Sequence, residues 1–471
     1  MQGNNYIKIF FNRIAENYER YQKKNFYYHC LIENVYLSSI PSKSTIIDFG
    51  CGTGKLLARL NPSKACAIDF SSNMISVAKR SLGNNVKFVC SDFALFSPQE
   101  KYDYAIISNT LEYVSDINSL LSKAYDSLNE DGKIIITSVN PVWKLILRVG
   151  NKLHIKTPDL EKNFLTNKDV VNFLEVAGFE IIAEGLTGAV PVYIPFISPF
   201  LNFLIRELPL LRQFGSIQCV IAKKRRLSRE YACSVIVPCF NEAGNITTII
   251  QKIPKIGKWT ELIFVDDGSQ DSTADQVDSS LRDDIKIRCI SYKPNRGKLY
   301  AITAGFHNAK GDILFILDAD LAIIPEELRK FYKVMAEGYA DFVNGTRFIY
   351  PMEGKAMKLL NYFGNKIFCL VVSWIIDQRV SDTLCGSKAL FRKDFLHISM
   401  GHDPWGDYDL IFGAAKLKLK MREVAVHYQE RKYGKSKMKP LKHTNALLKA
   451  CFWGLKNIKL SLVYRKQRHF N

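Results

Sequence analysis

Two carboxylates one residue apart, Asp318 and Asp320, follow the apolar run DILFIL. In extended chain, residues i and i+2 project to the same side, so both can face one divalent cation. A cation held this way bridges phosphate oxygens and neutralises a leaving diphosphate. A second carboxylate pair, Asp266 and Asp267, ends the run ELIFV, and SVIVP ends in Cys239-Phe240-Asn241-Glu242. Far upstream the chemistry is of another kind. Asp48-Phe49-Gly50-Cys51-Gly52-Thr53-Gly54 stands between the apolar Thr45-Ile46-Ile47 and the helix-like KLLARL. Glycines at this spacing make a tight strand-to-helix turn and let a ligand approach bare backbone at the helix N-terminus. Asp69 closes the next apolar run, ACAID, where a carboxylate can accept both ribose hydroxyls.

Each group needs a strand to carry it to a sheet edge. Strand-like and helix-like patterns alternate in both halves, which predicts two α/β domains with largely parallel sheets. The length of 471 residues exceeds what one core normally supports and fits two domains of about 230 residues each. The break is expected at 223–230, where Lys223, Lys224, Arg225 and Arg226 interrupt the apolar pattern before CSVIVPCF begins at Cys233. The expected domains are therefore 1–222 and 231–471.

Eleven cysteines without a CxxC pair argue against a disulfide framework or a zinc site and fit a reducing compartment. The N-terminus has no basic stretch leading into an apolar core, so a cytoplasmic-side protein is expected. From position 410 onward there are 16 lysines and arginines against two glutamates, which is +14 of the formal net charge of +19. No nucleic-acid-binding pattern accompanies this charge, so an anionic membrane surface is the expected partner and nucleic acid is not. The segment 186–205 is uncharged, but Pro191, Pro195 and Pro199 make it a hydrophobic cap or loop rather than a membrane span. Leu441, Leu448, Leu455 and Leu462 recur every seven residues, with lysines one position on. They predict a basic amphipathic helix over 440–464, lying on a bilayer or docked on its own domain.

Beyond the glycine turn and Asp69, VKFVCSDF ends in Asp92 and Phe93, and LEYV follows the strand-like YDYAIIS. This ordered series resembles class I S-adenosylmethionine-dependent methyltransferases over roughly residues 10–222, a better match than a dinucleotide-binding dehydrogenase. The resemblance implies a Rossmann-like fold and S-adenosyl-L-methionine as cofactor. It implies that Asp48 and the turn glycines Gly50, Gly52 and Gly54 line the methionine part, Asp69 the ribose, and Asp92 with Phe93 the adenine. The run AENY, ending at Tyr18, matches a lid segment. Many relatives carry histidine where LEYV has Tyr113. The methyl acceptor is not legible, because methyl transfer needs positioning more than a catalytic group.

In the second half, VPCFNE, VDDGSQDST, NRGKLYAITAGF, LDADL, NGTRF, DTLCGSKALFR and RKYGKSK follow in order. The set resembles family 2 glycosyltransferases of the GT-A fold, in the polyprenyl-phosphate (dolichyl-phosphate) mannosyl- and glucosyltransferase branch. The resemblance places Pro238, Phe240, Glu242, Val265 and Asp267 around the nucleoside. Asp318, Ala319 and Asp320 fall on the metal (Mg or Mn) and diphosphate site, and Arg347, Arg431 and Lys437 on the donor diphosphate. Relatives often have tyrosine at the place of Phe240. Asp409, in DPWGDYD, stands where the family carries an acceptor-side acid, and Asp382 is a second catalytic candidate alongside Asp320. The expected activity is inverting transfer of a hexose from a nucleotide diphosphate sugar to a polyprenyl phosphate, with methylation in the same glycan or lipid pathway. Alternatives are transfer to a hydroxyl of a lipid-linked glycan, with Asp409 as base, and a membrane-associated scaffold with degenerate sites.

Overall fold

The computed structural model describes residues 2–144, 146, 160, 163, 165–350, 359–430 and 440–460. The chain divides into two compact units between Arg225 and Arg226. The first holds strands β1 Thr45–Phe49, β2 Lys64–Asp69, β3 Val86–Cys90, β4 Tyr102–Ser108, β5 Leu128–Val139, β6 Phe179–Thr187 and β7 Ile217–Lys224. Their order is β3-β2-β1-β4-β5-β7-β6. β1 to β5 are mutually parallel and β7 is antiparallel to both β5 and β6. Every strand but β7 therefore ends at the same edge.

Continuous burial of Ile46, Ile47 and Phe49 in β1 is what a strand covered on both faces requires. The helix Phe26–Ser39 covers one face. Its fully buried Tyr36 donates from the phenol to Ile107 O at 2.9 Å, tying helix to sheet. The helix Asn167–Val176 starts with a capping box between Thr166 and Asp169, worth about 1 kcal/mol. Between β6 and β7 the segment expected as a cap or loop is a loop followed by a helix, Ile197–Glu207. Pro191 and Pro195 fall in the loop, and Pro199 falls in the first helical turn, where a missing N–H breaks no ladder.

The second unit holds β8 Cys233–Cys239, β9 Thr260–Asp266, β10 Lys286–Ser291, β11 Ile313–Ile316, β12 Phe342–Thr346, β13 Lys388–Phe391 and β14 Met421–Ala425. Their order is β10-β9-β8-β11-β13-β12-β14, with only β13 running against its neighbours. Alternate side chains feed two cores. Val235, Phe264 and Phe315 enter one, and Ile236, Ile263 and Leu314 enter the other. Both units are thus Rossmann-like mixed sheets.

The stretch 223–230 is not a free tether. Lys223 and Lys224 finish β7, whereas Arg226 pairs with Asp341 at 3.3 Å and lies over the Phe391 ring. The C-terminal helix spans Pro440–Gly454 and continues as a π-turn, Leu455–Lys459. Its buried seam is Leu447, Ala450 and Cys451, not the seven-residue leucine row, since Leu448 is 57% exposed. The side chain of Leu441 and residues 461–464 lie outside the described residues. Gly454 permits the close approach, because a Cβ there would stand 2.7 Å from the Phe412 ring. No described helix is long and apolar enough to cross a membrane.

Candidate active sites

In the first unit β1 delivers the glycine turn. Gly50, Gly52 and Gly54 all have positive φ (87°, 54° and 77°), a region that costs other residues free energy. A Cβ on Gly50 would stand 2.3 Å from Thr110 Oγ1 and one on Gly54 2.5 Å from Leu82, so these two are demanded by packing. Gly52 faces nothing within 4 Å and is the bare backbone open to a ligand. Asp69, at the end of β2, accepts from Gly52 N and Ser71 N, each at 2.9 Å. Burial pushes its carboxyl up to about 6. Asp48 is buried with Oδ1 unpartnered, and burial together with Asp69 raises its carboxyl well above the usual range. Neither carboxylate forms an ion pair among the described residues. An edge lined by two uncompensated acids suits a cationic ligand.

Asp92 caps the short turn Phe93–Leu95 through Ala94 N. Phe93 follows it. Its ring is buried in the core 6.0 Å from that of Phe49, which leaves the Phe93 backbone as the part available to an adenine. Tyr18 starts the helix Tyr18–Lys24 and packs on Ile14, Ala15 and Met74.

Four residues at this edge escaped the sequence reading. Asn12, from the helix Gln2–Ile14, accepts from Ser71 Oγ at 2.7 Å and Asn73 N at 3.2 Å, which docks that helix on the exit of β2. Phe11 sets its ring edge-on to Phe70 and Tyr113. Asn109, just past β4 at φ 50°, donates to the Tyr28 phenol and leaves a buried Oδ1 unpartnered. His29 is held neutral, with burial and then Lys55 lowering it to about 4. An N-terminal helix has no motif to announce it, but an asparagine directly after a strand-like run is a visible signal of a left-handed turn.

In the second unit the polar turns after β8, β9, β11, β12 and β14 share one edge. Glu242 follows β8 and accepts from Asn245 at 2.9 Å. Pro238 is half-buried, Phe240 also, and Val265 is fully buried in β9, so only the backbone of Val265 is available there. Asp267 accepts from Arg296 N at 2.6 Å and Gly297 N at 2.8 Å, shaping the turn into the helix Lys298–Asn308. That helix begins with Lys298, whose ammonium lies 2.6 Å from Asp318 Oδ1. Burial lowers Lys298, but Asp318 and Asp407 more than offset this and keep it firmly protonated. Asp320 accepts from Ala322 N at 3.0 Å. Gly386 abuts Asp318 so closely that a Cβ would stand 2.0 Å from Oδ2. Ala319 between them is buried.

Among the described residues no group of three or more His, Cys, Asp or Glu is arranged to hold a metal. Two carboxylates alone fit a hard cation that takes its remaining oxygens from water and substrate phosphates, as Mg²⁺ does. Arg347 and Asp382 are brought together rather than kept apart for different ligands. Nε and Nη2 reach Oδ2 and Oδ1 at 2.6 and 2.7 Å, Arg347 N reaches Oδ2, and Asn365 Nδ2 reaches Oδ1 at 2.7 Å. Asp382 is fully buried. Burial raises its carboxyl, but Arg347 and Asn365 outweigh that and hold it below the usual range. It fixes the Arg347 guanidinium through two side-chain hydrogen bonds. Asp409 is likewise committed. It is 1% exposed and accepts from Gly401 N, His402 N and His402 Nδ1, so it braces a turn. Arg431 and Lys437 lie outside the described residues. The segment leading to them is tied to the carboxylate turn by Gln429 N donating to Ala322 O at 2.8 Å.

Residues 234–398 match the family model described as Glycosyl transferase family 2, and residues 21–184 match one described as Methyltransferase domain. An undecaprenyl-phosphate 4-deoxy-4-formamido-L-arabinose transferase of Salmonella paratyphi B is 29% identical over 209 residues, which is 43% of this chain and 62% of that protein. The protein of the same description from Salmonella newport matches equally. The chain thus spans less than two thirds of the length of these relatives. Among solved structures, a SAM-dependent methyltransferase, possible histamine N-methyltransferase, of Thermotoga maritima is 18% identical, covering 46% of this chain and 99% of that one with a TM-score of 0.36. Magnesium protoporphyrin IX methyltransferase of Synechocystis is 15% identical, covering 47% and 99% with a TM-score of 0.33. The chain carries a methyltransferase domain followed by a family 2 glycosyltransferase domain.

Proposed function

We propose that the chain is a bifunctional transferase. Its second unit moves a hexose, with inversion, from a nucleotide diphosphate sugar to a polyprenyl phosphate, and its first unit moves the methyl group of S-adenosyl-L-methionine to an acceptor in the same glycan or lipid pathway. The observation that carries this reading is the convergence of Asp318, Asp320, Lys298 and Arg347 on one sheet edge. Pro238, Phe240, Glu242, Asp267 and the Val265 backbone take the nucleoside. Asp318 and Asp320 hold a divalent cation, which when bound supplies charge neutralisation at the diphosphate. Lys298 and Arg347 add fixed positive charge there, and Arg431 and Lys437 reach the same phosphates. An already ionised phosphate acceptor needs no general base, in keeping with the commitment of Asp409 to the turn at 401–402.

In the first unit, Gly52 offers backbone to the methionine part, Asp69 receives the ribose hydroxyls, Asp92 the adenine side, and Asp48 faces the positive charge of the sulfonium. Positioning for in-line attack is the work these residues do. The protein sits peripherally on the cytoplasmic face of a membrane. Supporting this are the +14 excess after position 410 and the outward Leu448, Lys449, Phe452 and Lys456 of the C-terminal helix. The test is release of nucleoside diphosphate on adding polyprenyl phosphate. Release that continues undiminished in Asp320→Ala would remove the site assignment.

A further inference from the structure

The helix Ile197–Glu207 is built inside out. Its inward positions are polar: Ser198 is fully buried and donates to Val192 O at 2.7 Å, and Asn202 is 9% exposed and bonded to both Val190 N and Val190 O. Its outward positions are apolar, with Ile197 52%, Phe200 60% and Leu204 38% exposed. The loop before it adds Val192, Ile194 and Phe196, the last 90% exposed. A helix folded only against its own domain in water puts its apolar stripe inward. Here the stripe faces outward, and a contiguous patch of this kind marks an interaction surface.

Topology says where the patch stands. The lobe 188–216 leaves the sheet at the end of β6 and returns at the start of β7, where Thr187 and Val139 both pair with Ile217. This is the edge at which the glycine turn and Asp69 lie. The lobe leans on the N-terminal helices through Asn202 Nδ2 and the Tyr27 phenol, and through Tyr193 against Phe26 and Tyr27. Charge names the occupant. The only acid in 188–216, Glu207, is paired with Arg206, while exposed Lys23 and Lys24 stand just before Phe26 at the lobe's base. An apolar face with a cationic rim fits an anionic lipid surface.

We infer that this lobe seats the methyltransferase unit on a bilayer, so that its cofactor edge serves an acceptor whose reacting group lies at the lipid–water boundary. The acceptor class rests on the methyl-transfer reading above; the seating does not. The test uses the full chain carrying Phe200→Trp, with vesicles of phosphatidylcholine and phosphatidylglycerol whose acyl chains are brominated. The added emission should shift to the blue and fall about twofold or more on binding. Emission unchanged in vesicle-bound protein, or no vesicle binding at all, overturns the seating. A blue shift that grows with protein concentration without vesicles also overturns it, by assigning the face to a second copy. Calorimetric titration with S-adenosylmethionine separates the two claims: absence of that isotherm defeats the methyl-transfer reading while the emission still decides the seating. With labelled S-adenosylmethionine and vesicles of total cellular lipid, label should enter the organic extract and fall about tenfold in Phe196→Asp/Phe200→Asp. Label confined to the aqueous phase contradicts the acceptor class.

Discussion

The two sheet edges partner their acids differently. In the first unit Asp48 and Asp69 are buried without a cation, and their carboxyls are driven up. In the second, three acids have a positive partner: half-buried Asp318 has Lys298, and the buried Asp382 and Asp407 have Arg347 and, at 2.5 Å, Lys388. The difference follows from what each ligand brings. A sulfonium and an ammonium supply positive charge to a site that withholds it, whereas a diphosphate needs cations already in place. One type of scaffold, with ligands at the carboxyl ends of its strands, serves both by setting Lys298 and Arg347 beside the acids of the second unit.

The comparison is broken most severely by removing charge from the second edge. Asp320→Ala should lower sugar transfer by about 10³-fold, measured as nucleoside diphosphate release, with S-adenosylmethionine affinity unchanged. Asp382→Ala leaves Arg347 buried and unpaired, which costs about 3–5 kcal/mol. It should lower the denaturant midpoint of the second unit while the first unfolds as before. At the first edge, Gly52→Ala places a methyl where the ligand approaches. It should weaken S-adenosylmethionine binding about tenfold or more in calorimetry, with about 1 kcal/mol lost from stability because φ is positive.

Much of this contrast was legible in the sequence, for a physical reason. Gly50, Gly52, Asp69, Asp318 and Asp320 sit at strand ends, where the apolar run stops and the turn begins, and local chain geometry fixes their direction. What was not legible depends on partners distant in sequence. Asp382 and Arg347 are 35 positions apart, and nothing local says that each satisfies the other. The motif at Phe93 does not say where its ring goes, and Phe49 lies edge-on against it. The leucine row could not say which face docks on the domain: Leu447, Ala450 and Cys451 are buried, whereas Leu448 is exposed. The outward stripe of Ile197–Glu207 was hidden because prolines mask helical periodicity.

A smaller effect at the first edge depends on pH. Asp69 titrates near 6 in the folded protein against about 3.9 unfolded. The folded state therefore binds more protons between these values, and stability of the unliganded first unit should fall as pH rises through that window. Ribose binding needs the carboxylate, so S-adenosylmethionine affinity should drop as pH falls below about 6, up to tenfold per unit. Asp69→Asn should flatten both curves. Smallest of all should be Asp409→Asn: a phosphate acceptor leaves the rate near that of the unaltered chain, and a loss of about 10²-fold would restore the hydroxyl acceptor and its base.

The most direct measurement is calorimetric titration of the intact chain with S-adenosylmethionine and with a nucleotide sugar plus Mn²⁺, each alone and then in the presence of the other. Two independent isotherms, the second lost in Asp320→Ala and the first retained, are the predicted result. Failure of either ligand to bind, or displacement of one by the other, would contradict two separate transfer sites in one chain.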